Sequence, residues 1–140
     1  MLKKRRFQRI VVKIGTSVLA EAGGSLRRET VRSLAGQLAT CVRQSCQVLV
    51  VSSGAIACGM DTLKISSRPK ALPDLQACAA IGQSKLMKAY EDAFSCHGIH
   101  TGQILLTRDA FHDRLRYLNV RNTVNALLKH GVVPIVNEND

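Results

Sequence analysis

The sequence predicts an α/β chain in which a largely parallel sheet is covered on both faces by helices, and three observations predict it. Four short runs rich in β-branched residues, Arg9 to Ile14, Gln47 to Val51, Gln103 to Thr107 and Val132 to Val136, are almost unbroken in apolarity, as strands buried on both faces are. Longer stretches with apolar residues at helical spacing separate them, the alternation that parallel strands need for their crossovers. Small residues follow two of the runs, at Gly15-Thr16-Ser17 and Ser52-Ser53-Gly54-Ala55, and ligands of such sheets bind beyond the carboxyl ends of the strands.

Taken in order, the strand from Arg9 to Ile14 follows a basic start (Lys3, Lys4, Arg5, Arg6) that reads as a solvated tail. Charged Lys13 interrupts the apolar run, so it is too short for the core of a signal peptide. Val31, Leu34, Ala35, Leu38 and Val42 then mark one face of a helix, with Ser25 as its N-cap and Glu29 in its first turn. After the second strand, a helix starts at Ile56-Ala57. A loop from Lys64 to Pro73 precedes a long helix from Pro73 to Phe94 whose stripe is Leu75, Cys78, Ala79, Gly82, Leu86, Tyr90 and Phe94. A second loop, Thr107 to Arg116, leads to a helix from about Leu118 to Lys129 that turns Val124, Leu127 and Leu128 inward and stops at His130-Gly131. Either loop has the position of a lid or of an ordinary connection.

With 140 residues, 46% hydrophobic and 21% charged, the chain suits one ordinary domain with its own core. The net charge of +10 brings nucleic acid to mind, but aromatics are only 4% of residues and do not alternate with the basic ones, which argues against a base-stacking platform. Sites for anionic small molecules account for the charge as well. No apolar run approaches membrane-spanning length. Five cysteines, at 41, 46, 58, 78 and 96, form no paired spacing and sit among aliphatic residues, which reads as reduced, buried thiols in a cytosolic protein. Cys96, His97, His100 and His112 likewise lack the spacing of zinc ligands.

The two small-residue turns carry the chemistry. Backbone N–H groups exposed at a strand end, next to a helix N-terminus, make a cradle for negative charge. Gly15-Thr16-Ser17 is neither a Walker A loop nor a dinucleotide fingerprint. Lys13 strengthens it, because an ammonium inside a buried strand is costly unless it reaches an anion at the strand end. At the second turn, the N–H groups of Gly54 and Ala55 can hold a carboxylate, while Ser52 or Ser53 caps the helix. A serine nucleophile is disfavoured, since Ser53 stands in no G-x-S-x-G elbow and no histidine pairs with it by motif.

These motifs form a set. It comprises Val12-Lys13-x-Gly15-Thr16-Ser17, Val51-Ser52-Ser53-Gly54-Ala55-Ile56-Ala57, Gln76 with Ala79-Ala80-x-Gly82-Gln83, and Gln103-x-Leu105-Leu106-Thr107-Arg108. Arg116-Tyr117-Leu118-Asn119, Arg121-Asn122-Thr123 and Pro134-Ile135-Val136-Asn137-Glu138-Asn139-Asp140 complete it. In order and spacing the set resembles the glutamate 5-kinases of the amino-acid kinase family along nearly the whole chain. The resemblance implies a three-layer α/β/α sandwich and ATP-dependent phosphorylation of the γ-carboxylate of L-glutamate, with Mg²⁺ on the ATP, as the first step toward proline. It places Lys13 at the ATP phosphates, beside the Gly15, Thr16 and Ser17 turn. Ser53, Asn137 and Asp140 fall at the glutamate, beside the Gly54 and Ala55 amides, with Asp140 suited to the substrate's α-ammonium.

The same resemblance implies that residues 1–140 are the N-terminal, amino-acid-binding portion of a domain. The second half, with most of the nucleotide pocket and another phosphate-directed lysine, is absent, as is a C-terminal RNA-binding-like domain. The expectation is therefore that this portion alone does not turn over and leaves one sheet edge unpaired. A homo-oligomer, control by proline and a glutamyl-phosphate reductase as recipient are also implied. Two other readings stay open: a kinase of another carboxylate, such as acetylglutamate or aspartate, and a non-catalytic binding module.

Overall fold

The computed structural model describes residues 7–138. In chain order these are β1 (Arg9–Lys13), α1 (Thr16–Leu19), α2 (Arg28–Arg43), β2 (Gln47–Val51), α3 (Ala55–Leu63), α4 (Leu72–Ser95), β3 (Thr101–Leu106), a 3-10 turn (Arg108–Phe111), α5 (Arg114–Lys129) and β4 (Val133–Glu138). The strands form one four-stranded sheet in the order β1-β2-β4-β3, parallel at every pairing. Register aligns Val12 with Val50, Val50 with Ile135 and Ile135 with Gln103. Because side chains alternate along a strand, one face of the sheet carries Ile10, Val12, Ile14, Val48, Val50, Val133 and Ile135. These join Val31, Ala35 and Leu38 of α2 and Leu86, Tyr90 and Phe94 of α4 in a single core. On the other face α5 lies over β3 and β4, where Leu127 closes on Gly102. Helices on both faces of a parallel sheet give the α/β/α layering that the sequence predicts.

Several boundaries differ from the sequence expectation. Ser25 does not cap α2. The N-cap residue is Arg27, with no side-chain bond, and Ser25 donates instead to Asp61 at 3.3 Å. α4 begins at Leu72, one residue before the expected start, with Pro73 in its first turn where a missing N–H costs nothing. The predicted loop Thr107 to Arg116 holds the 3-10 turn and the start of α5, whose cap is Asp113 accepting from the Arg116 N–H at 2.9 Å. β4 runs on through Asn137 and Glu138.

Burial of the strands also departs from expectation. β4 is buried at all but its last residue, whereas β1 alternates exposed and half-buried, with Val11 63% exposed. The reason is coverage, since Leu127 of α5 closes on β3 beside β4, while Arg9, Val11 and Lys13 on the same side of edge strand β1 stay exposed. The cysteines are all free, but only Cys58 and Cys78 are buried; Cys41 and Cys46 are half-buried and Cys96 is exposed. No helix among the described residues is long and apolar enough to cross a membrane, and no group of three or more His, Cys, Asp or Glu there could hold a metal ion.

Candidate functional site

Parallel strands that end together bring their following turns together, and three of these ends meet. The Ile14 N–H donates to the Val51 carbonyl at 2.8 Å, and the Ser52 N–H donates to the Val136 carbonyl at 2.8 Å. Side chains then tie the two turns directly. Ser53 Oγ donates to the Ile14 carbonyl at 3.0 Å, and Thr16 Oγ1 donates to Ser53 Oγ at 3.2 Å. A hydroxyl has one proton. With that proton on Ile14, Ser53 presents a lone pair to any ligand, so in this arrangement the donors for a carboxylate are the neighbouring amides.

Those amides are well placed. Gly54 is the N-cap of α3 at φ 94°, a left-handed conformation that glycine adopts without strain. Neither Ser52 nor Ser53 caps the helix, and among the described residues no side chain makes a capping hydrogen bond there, which leaves the first N–H groups of α3 available to an anion. α1, by contrast, is a single turn, so the first cradle has little helix dipole behind it. Gly15 there has an ordinary φ of −77° and open space around it.

Thr16, Ser53, Gly54 and Ala55 line a cavity of about 220 Å³ together with Asn137 and Glu138 at the end of β4. Arg68, from the segment joining α3 to α4, completes its wall. A second cavity of about 500 Å³ adjoins it through Ala55 and Glu138, and runs between α4 and β3 past Gln76, Gln83 and Gln103. The partition between them is an amide chain. Asn137 Nδ2 donates to Gln83 Oε1 at 2.8 Å, Gln83 Nε2 donates to Gln103 Oε1 at 3.2 Å, and Asn137 Oδ1 accepts the Glu138 N–H at 2.9 Å. Asn137 and Gln83 are buried, and their hydrogen bonds are made within the protein. Behind the second turn, buried Ser52 shares a 3.0 Å bond with the Tyr90 hydroxyl. Burial pushes the Tyr90 phenol above its ordinary value, although the bond to Ser52 opposes the rise. Burial, and then the negative charge of Asp61, raises the Cys58 thiol in the same way.

The structure therefore brings Thr16, Ser53, Gly54, Ala55 and Asn137 to one place. Lys13 ends β1 next to them in register with Val51, yet it is exposed and lines neither cavity. A lysine on an open edge strand pays little desolvation, so the argument from a costly buried charge does not hold. Gly15 and Ser17 flank the cavity without lining it. Asp140 lies outside the described residues. Sequence reasoning gave no site role to Arg68, to Glu138 or to the glutamines, although Glu138, Gln76, Gln83 and Gln103 stand in the motif set, and it placed Tyr90 only on the apolar stripe of its helix. For Gln83 a signal existed, an amide beside Gly82 on a helix stripe that is otherwise apolar.

Comparison with known proteins follows the same path along the chain. It is 52% identical over 138 residues to a glutamate 5-kinase of Aromatoleum aromaticum, a match covering 99% of this chain and 37% of that protein. Glutamate 5-kinases of Pelobacter propionicus and Myxococcus xanthus are 46% and 49% identical, each over 97% of this chain and 36% of their own length. The chain thus spans little more than a third of the curated relatives it matches. The model of the amino acid kinase family matches residues 8–140, the stretch that carries the sheet, both turns and both cavities, and the chain belongs to that family.

Proposed function

We propose that this chain is the amino-acid-binding portion of a glutamate 5-kinase, which transfers the γ-phosphoryl group of ATP to the γ-carboxylate of L-glutamate. The observation that carries the reading is the convergence of two small-residue turns and the end of β4 on one cavity, in a chain 46–52% identical to proteins of that name. A carboxylate with an ordinary pKa near ~4.3 is already ionised at neutral pH, so no general base is needed. One of its oxygens attacks phosphorus as the bond to the departing ADP breaks, and an acyl phosphate results. What the reaction needs is positive charge and N–H donors where negative charge gathers.

In this reading the Gly54 and Ala55 amides hold the γ-carboxylate, with Ser53 and Asn137 fixing its surroundings and Asp140 meeting the α-ammonium. The Gly15, Thr16 and Ser17 turn faces the phosphates. Lys13, exposed at the end of β1, supplies an ammonium that loses little hydration before a phosphate reaches it. Mg²⁺ enters with the ATP, where it would neutralise charge on the phosphates during transfer. Free thiols fit a reducing, cytoplasmic setting. The incomplete cover over β1 fits a homo-oligomer or a continuing polypeptide, and the water-sensitive acyl phosphate fits direct hand-over to a reductase.

Calorimetric titration of the 140-residue chain with L-glutamate tests the reading. Saturable binding that N-acetylglutamate and aspartate do not reproduce is expected; preference for either of those assigns the chain to a different carboxylate kinase. In a complete polypeptide carrying this portion, Lys13→Ala is expected to lower acyl-phosphate formation, trapped as the hydroxamate, by on the order of 10²-fold with glutamate affinity nearly unchanged. Equal loss of both would make Lys13 structural.

A further inference from the structure

We propose that Arg68 is a substrate-selecting residue whose guanidinium pairs with the second, α-carboxylate of the acidic amino acid seated between the two turns. The inference rests on the glutamate reading above and adds to it a group that no sequence motif pointed to. A substrate with two carboxylates and one ammonium needs two separate anion partners. The open amides of Gly54 and Ala55 are one. Among the described residues that line the same cavity, Arg68 is the cationic side chain, while the acidic liner, Glu138, is drawn toward Arg108 at 3.7 Å. Among the described residues, the ion pairs that form do not include Arg68, so its charge is not committed elsewhere.

Backbone constraints flank Arg68 on both sides. Lys64 caps the end of α3 in the left-handed region at φ 56°. Pro69 follows Arg68 directly and keeps the backbone of Arg68 out of the helical region. Pro73 then stands in the first turn of α4. A guanidinium is suited to the task, because its planar fork meets a carboxylate through two parallel N–H bonds, which an ammonium cannot do.

The test compares L-glutamate with 4-aminobutyrate, which is glutamate without its α-carboxylate, by titrating the 140-residue chain and its R68A and R68K forms. Urea unfolding of each form confirms that the fold is intact, as expected for an exposed side chain. Selectivity for glutamate over 4-aminobutyrate is expected to fall at least ~10-fold in R68A, through loss of glutamate affinity alone, with R68K between the two. Unchanged glutamate affinity in R68A, or equal losses for both ligands, overturns the assignment while wild-type binding leaves the glutamate reading standing. A folded wild-type chain that binds neither amino acid overturns both.

Discussion

Ser53 is the residue on which the joining of the two turns depends, since its hydroxyl, from the second turn, donates to Ile14 and accepts from Thr16 at the first. Ser53→Ala leaves the Ile14 carbonyl without that partner and is expected to cost about 1–2 kcal/mol, read from urea unfolding. A loss below ~0.5 kcal/mol would mean that the turns are held by their strands alone. Tyr90 makes a pH-dependent contribution from behind the same turn. Its phenol is raised in the folded state, mainly by burial, so the folded chain favours the neutral form. That contribution is whole below the ordinary value of 10 and is lost as pH climbs through the elevated one. Wild type should therefore lose stability above pH 10 more steeply than Tyr90→Phe, and parallel pH profiles for the two proteins would refute the role.

At the scale of elements, α3 and α4 cross with backbone against backbone. A Cβ on Gly82 would overlap the Ala55 carbonyl oxygen, and one on Gly59 would overlap the Cys78 carbonyl. Gly82→Ala is expected to destabilise by about 1–3 kcal/mol, seen as a lower denaturant midpoint, and to weaken glutamate binding because Ala55 begins the anion cradle. The strands and the two turns were legible because apolar runs and small residues are local signals. The role of Gly82 was not, since its need for bare backbone arises only from a neighbouring helix. The same applies to Gln83, whose partners Asn137 and Gln103 come from other elements, and to Asp113, whose capping of α5 was hidden in a stretch of charged residues. Lys13 shows the opposite error. An apolar run implied burial, but burial depends on what covers the sheet, and β1 is an edge.

For the whole molecule, the consequence of that sheet order is a stability gradient across the strands. Ile135 in central β4 is fully buried, and Ile135→Ala is expected to cost about 2–5 kcal/mol. Val11 in β1 is 63% exposed, and Val11→Ala should change stability by no more than about 0.5 kcal/mol in the isolated chain. Comparable losses at the two positions, measured by urea unfolding, would show that β1 is covered in solution. The helix crossing at Gly59 and Gly82 has an effect beyond strength. With bare backbone in contact at those two positions, the two helices have little room to tilt for a bulkier guest, so the floor of the binding place is stiff there. Selection among similar small acids then falls to the few groups around its rim, and a change of one rim side chain can redirect choice without remaking the fold.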